Sequence, residues 1–188
     1  MSRQLSSKSV AVLATDGFEQ SELMDPVKAL KDAGATVHIV SMEAGDIRGW
    51  KEKNWGDSVP VDRTLDDASA GDYDALVIPG GQMNPDVLRA DKRAVAFVRA
   101  FFDAKKPIAA ICHGPWLLVE AGIAEGLEAT SYKSIRTDMV NAGALWVDRE
   151  VVVDDGIVTS RHPGDLPAFC AKLIEEVAEG RHEQRDVA

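Results

Sequence analysis

The sequence predicts a doubly wound α/β fold with a mostly parallel sheet between helices. Three observations carry this reading. Continuous apolar runs of strand length, 9–14 and 107–111, suit strands buried on both faces of a parallel sheet. Amphipathic stretches at helical spacing alternate with these runs. Glycines punctuate the joins, as Gly34 does after a helix and Gly80-Gly81 after a strand.

Each element follows in order. Residues 9–14 form the first strand, and Leu23, Val27 and Leu30 mark a helix that Gly34 ends as a C′ residue. Residues 36–40 are a second strand, which completes a βαβ unit. Gly49, Gly56 and Pro60 break up 46–62, read as a β-hairpin or excursion. A strand over 74–78 leads to a helix over 87–104, with Ala94, Val95, Val98, Phe101 and Phe102 on one face. After the strand at 107–111 come short helices at 114–121 and 135–142. Short β segments are expected at 145–147, 151–153 and 157–159, the last two antiparallel across Asp154-Asp155-Gly156. Asp165 is expected to cap a final helix striped by Leu166, Phe169, Cys170, Leu173, Ile174 and Val177. One domain over 8–180 results, with 1–7 and 181–188 as loose ends.

Composition narrows the function classes. A chain of 188 residues, 45% hydrophobic and 28% charged, buries a sizeable core without staples. The net charge of −10 argues against nucleic-acid or anionic-membrane partners. No apolar run approaches a membrane span, and the start lacks the apolar core of a secretory signal. Two cysteines far apart, Cys112 and Cys170, exclude a disulfide framework and a Cys-rich zinc site, and suit a cytoplasmic setting. Gly80-Gly81 is too short for a dinucleotide fingerprint and no phosphate-binding P-loop occurs, so no cofactor is expected.

In such sheets ligands sit at the carboxyl ends of the strands, which selects loops 15–22, 79–86 and 112–116. Cys112 ends a buried strand, with Gly114 and Pro115 opening a helix directly after it. This is the layout of a nucleophile elbow with Cys in place of Ser. A helix N-terminus is expected to acidify the thiol, to ~3.5–7.5 from an ordinary ~8.5. The plainer alternative is an inert packed cysteine, the role assigned to Cys170. His113 adjoins Cys112, although neighbouring side chains usually diverge. Gly80 and Gly81 offer unhindered N–H groups for an oxyanion, or only a turn. Glu19 and Glu22 either complement a helix dipole or place a carboxyl beside the thiol, where burial and like charge would keep it protonated.

The combination of Phe18-Glu19-x-x-Glu22, Val77-Ile78-Pro79-Gly80-Gly81 and Ala110-Ile111-Cys112-His113-Gly114-Pro115 resembles the PfpI/ThiJ superfamily, within it the intracellular protease I branch that includes general stress proteins. Asn141-Ala142-Gly143-Ala144 and Thr159-Ser160-Arg161 extend the likeness over about 8–177. The resemblance implies a flavodoxin-like, glutamine-amidotransferase-like sandwich. It implies Cys112 as nucleophile, hydrogen-bonded to a protonated Glu22. It pairs His113 with an acidic residue of a neighbouring subunit, here Asp86, where many members carry Glu. Tyr132 would line the site, Glu19 would stand behind it, and Gly81 and His113 N–H groups would hold an oxyanion. His162-Pro163-Gly164 lacks the carboxylate of the amidotransferase triad, which argues against a catalytic His162.

Members of this superfamily are described as deglycases of dicarbonyl-modified side chains, glyoxalases without cofactor, cysteine peptidases, and redox sensors or chaperones. The leading expectation is a cytoplasmic stress-response cysteine hydrolase acting on glycated proteins or small dicarbonyls. A peptidase using the same residues and a sensor without turnover are the alternatives. The resemblance also implies a homodimer, with hexamers in some members.

Overall fold

A computed structural model describes residues 4–185. The chain opens with β1 (Ser9–Leu13), β2 (Phe18–Glu19), α1 (Gln20–Asp32) and β3 (Thr36–Ser41). A hairpin, β4 (Asp46–Lys51) and β5 (Asn54–Pro60), and β6 (Arg63–Thr64) precede β7 (Ala75–Ile78). Then come α2 (Met83–Ala90), α3 (Lys92–Asp103), β8 (Ile108–Ile111) and α4 (Trp116–Glu120). The chain continues through β9 (Glu128–Ala129), α5 (Arg136–Asn141), β10 (Leu145–Trp146), β11 (Val152–Asp154), β12 (Ile157–Ser160) and α6 (Leu166–Glu179).

Seven strands form the central sheet in the order β11-β12-β8-β7-β1-β3-β6. Every pairing is parallel except β11–β12, which turns over Asp155-Gly156 as the sequence predicts. The apolar runs are explained by their alternation. Ala11, Leu13, Leu76, Ile78, Ile108 and Ala110 enter one core with Leu88, Phe97, Val98, Phe101 and Leu117. Val10, Val12, Ala75, Val77, Ala109 and Ile111 enter the other with Leu23, Leu30, Phe169, Leu173 and Val177. Both faces of β1, β7 and β8 are thus covered, by α2–α5 on one side and α1 with α6 on the other. The 46–62 segment is an antiparallel hairpin whose β4 also takes β2 in parallel, which closes a small sheet over the end of β1.

Three expectations need correction. The helix expected over 87–104 is two helices: the Asp91 carboxylate accepts from Arg93 N at 2.8 Å and starts α3 afresh. Asp165 does not cap α6 with its side chain; its carboxylate takes the backbone N–H and guanidinium of Arg161 instead. The loose ends are tied down where they are described. Leu5 is fully buried, and Arg185 is 2% exposed, its guanidinium donating to Asp155 O and to Lys106 O at 2.8 Å. Among the described residues no helix is long and apolar enough to cross a membrane.

Candidate active site

β8 delivers Cys112 to the sheet's carboxyl end, and the chain turns there at φ +63°. An L-residue rarely holds this left-handed conformation, and it is the strained turn expected of an elbow. Cys112 N donates to Ser160 O at 3.0 Å and Gly114 N to Ile111 O at 2.8 Å, which fix the turn from both sides. Gly114 is required here: a Cβ would lie 2.6 Å from Ile78 O.

Glu22 reaches the thiol from the first turn of α1 and is fully buried. Its Oε2 accepts from Gly80 N at 2.9 Å. Oε1 is buried without a hydrogen bond of regular geometry, and the carboxyl lies within interacting range of the Cys112 sulfur. Burial, then the nearby Glu19 carboxylate, pushes Glu22 up to about 8, so at neutral pH it is predominantly the protonated acid. Burial also holds Glu19 above the usual carboxylate range.

The structure overturns the expected acidification of the isolated thiol. Burial, and then the Glu22 carboxylate, push Cys112 up, while the Gly81 and His113 N–H groups pull it down. The physical reason is twofold: Cys112 is only 6% exposed, and α4 is a helix of five residues with little dipole to offer. The titrating unit is therefore the Cys112–Glu22 pair.

His113 is brought to the thiol, with Nδ1 3.2 Å from Sγ. Its Nε2 lies 3.2 Å from Ser134 Oγ, and its ring stacks on Tyr132 at 4.8 Å and meets Trp116 edge-on. Burial lowers its basicity, which favours the neutral imidazole. Tyr132 lies against the His113 ring, and its N–H donates to Cys112 O at 2.8 Å. Ser134 escaped the sequence reading; its position two residues after Tyr132, at the turn into α5, was the available signal.

The two glycines divide their labour. Gly80 is committed to Glu22 and offers its N–H to no substrate. Gly81, at φ +80°, turns its N–H toward the sulfur beside that of His113. A Cβ at Gly81 would come within 2.6 Å of Glu19 N, so the loop admits no side chain there. Asn84, fully buried, ties this loop to the segment after β1 by donating to Pro79 O and accepting from Thr15 N. Asp86 is not brought to His113 within one chain; it is exposed and paired with Arg89 at 2.8 Å. His162 serves locally, accepting from Gly164 N. A cavity of about 510 Å³ opens beyond Tyr132, lined also by Lys133, Trp146, Asp148, Arg161 and His162. Cys170 packs partly buried against the α1–α6 core, and burial, then Asp25, raises its thiol to about 11.

Comparison with known proteins places the fold. The DJ-1/PfpI family model matches residues 8–176. General stress protein 18 of Bacillus subtilis is 51% identical over 163 residues, 86% of this chain and 93% of that one. Deglycase PfpI of Pyrococcus furiosus is 45% identical over 166 residues, 88% of this chain and 97% of that one. Among solved structures, a two-domain Anabaena variabilis protein with DJ-1/ThiJ/PfpI-like and ferritin-like domains superposes with a TM-score of 0.87 at 36% identity. The match covers 96% of this chain and 52% of that protein.

Proposed function

Because the chain belongs to the DJ-1/PfpI family, we propose that it is a cysteine-dependent deglycase, which frees side chains modified by small dicarbonyls. The observation that carries this reading is a cysteine at φ +63° with a buried carboxyl on one side and an imidazole on the other. The family's deglycase relatives favour a glycated substrate over a plain peptide.

Cys112 Sγ adds to the carbonyl carbon of the adduct, and a C–S bond forms as the C=O π bond breaks. The displaced electron pair settles on oxygen beside the Gly81 and His113 N–H groups, which stabilise the developing charge. The thiol proton passes to the neutral imidazole of His113 at 3.2 Å, and Ser134 steadies the far side of that ring. As the bond between the adduct and the modified side chain breaks, protonated Glu22 gives its proton to the departing heteroatom. Water then displaces the Cys112 sulfur from carbon; Glu22 takes up a proton from that water, and His113 returns its proton to the sulfur to restore the thiol.

A reduced, cytoplasmic setting suits two free cysteines. A second copy of the chain would bring its own Asp86 toward His113, since that carboxylate is exposed. The acidic surface, at net −10, favours adducts on basic or neutral proteins over acidic ones.

The test is steady-state turnover, on one preparation, of methylglyoxal-modified cysteine and arginine derivatives against unmodified peptides. Release of free thiol or guanidine with no peptide cleavage supports the deglycase. Peptide cleavage without deglycation moves the same site to the peptidase reading. Selective oxidation of Cys112 by mild peroxide, with neither turnover, moves it to a redox sensor.

A further inference from the structure

The His113 imidazole stays beside the thiol only as long as its walls hold. Tyr132 stacks on the ring and Ser134 meets Nε2, and both come from the segment 132–134. Trp116 comes instead from α4, its ring 5.1 Å from the imidazole at 63°. Trp116 is itself half-buried, so burial alone does not fix the indole. Two other helices do. Its Nε1 donates to Asp138 Oδ2 on α5 at 2.7 Å. On α2, the Arg89 guanidinium lies over the indole, 4.2 Å from the ring centre. That is well inside the ~6 Å reach of a cation–π contact.

Arg89 is held in turn. Asp86 stands one turn before it on α2, and its Oδ1 accepts from Arg89 Nε at 3.0 Å and pairs with Nη2 at 2.8 Å. Gripping the guanidinium at two nitrogens sets its plane, and a stack on indole needs that plane. Both contacts use Oδ1, which leaves Oδ2 open toward a second copy of the chain. α2 gives a firm base, because Asn84 and Leu88 are fully buried and Asn84 donates to Pro79 O at 2.9 Å.

We propose that Arg89 is a positioning residue for His113: seated by Asp86, it clamps Trp116 and so keeps the imidazole against the Cys112 sulfur. The contacts run without a break from Asp86 to Arg89, from Arg89 to Trp116, from Trp116 to His113, and from His113 Nδ1 to Cys112 Sγ at 3.2 Å. Arg89 acts through Trp116 and moves no proton itself. Small misplacements of a reacting group are costly even when their cause lies outside the chemistry. Lysine would serve less well, since an ammonium neither stacks nor offers a planar fork. This role presupposes that His113 takes the thiol proton, as the deglycase reading has it.

The test is a double-variant cycle on the full-length protein with two readouts. The first is steady-state turnover of a methylglyoxal-modified thiol. Arg89→Gln is expected to lower kcat about three- to fivefold, the worth of one cation–π contact, with KM within about twofold. Arg89→Lys is expected to recover only part of the loss. Trp116→Ala should lose at least as much as Arg89→Gln, and Trp116→Phe, which keeps a ring between Arg89 and His113, should recover most of it. Adding Arg89→Gln to Trp116→Ala should cost nothing more, because the clamp then has nothing to hold. The second readout needs no turnover. It is the NMR signals of the His113 ring C–H groups, which the ring currents of Tyr132 and Trp116 displace. Arg89→Gln should move them toward the position of a free imidazole, and Arg89→Lys should move them less. Signals that move in this way in a protein without deglycase turnover would keep the clamp and discard the deglycase reading. Losses that multiply in the double variant would overturn the proposal. So would an Arg89→Gln protein with a lowered Tm and unmoved His113 signals, which would leave Arg89 a role in stability alone.

Discussion

Cys112 Sγ lies 3.2 Å from Nδ1 of His113, its immediate neighbour in the chain. Adjacent side chains normally diverge. Here the left-handed backbone at Cys112 swings the two onto one side, and the stack on Tyr132 keeps the ring there. The strained turn and the thiol–imidazole contact are one feature: relaxing the first would separate the second.

Glu22 gives a pH signature. Its carboxyl titrates near 4.5 when unfolded and near 8 when folded, so between those values the folded chain holds a proton that the unfolded chain has released. Its contribution is fully present below about pH 4.5 and is lost as pH rises through about 8, at no more than about 1.4 kcal/mol per pH unit. Glu22→Gln should flatten that slope, and should remove the fall in kcat/KM above pH 8. Urea midpoints at several pH values check the first; an unchanged slope would mean another group titrates.

Gly80→Ala should cost both stability and turnover. The added methyl would lie 2.6 Å from Cys112 Cβ and would collide with Glu22 Oε2. Overpacking of this kind costs ~1–3 kcal/mol. Denaturant unfolding measures the first effect, and kcat should fall with it because both reacting groups are displaced.

Ser134→Ala should lower kcat/KM by about fivefold, the worth of one ordinary hydrogen bond to the His113 ring. Ser134→Thr, which keeps the hydroxyl, should restore most of it. Full activity in the alanine variant would assign the holding of His113 to Tyr132 and Trp116 alone.

Arg185→Ala should free the C-terminal segment. Two carbonyls, Asp155 O and Lys106 O, would lose their donor, at ~1–3 kcal/mol. Proteolysis near 181–185 should accelerate, and turnover at Cys112 should be unaffected.

Much of this was legible in the sequence because the central strands are buried on both faces and read as plain apolar runs. The elbow was legible for a related reason, since it sits where such a strand ends, whereas Gly80, read with Gly81 as an oxyanion donor, is spent on Glu22, a contact 58 residues away in sequence. The break at Asp91 was not, because the apolar spacing runs on across it and only the Asp-Lys pair marks a new cap. The state of the thiol was not legible either. Helix position suggested acidification, whereas burial and a like-charged neighbour, which depend on contacts 90 residues apart in sequence, set the opposite direction. Arg185 and Leu5 were read as loose ends because terminal polar stretches carry no periodicity to show which residue docks.

The most direct test sets two variants side by side in turnover of a methylglyoxal-modified thiol. Cys112→Ala should lose at least about 1,000-fold in kcat/KM, near the scale of removing a catalytic nucleophile. Cys170→Ala should stay within about twofold, since a packed thiol takes no part. A Cys112→Ala protein that keeps a tenth of wild-type turnover would contradict the account.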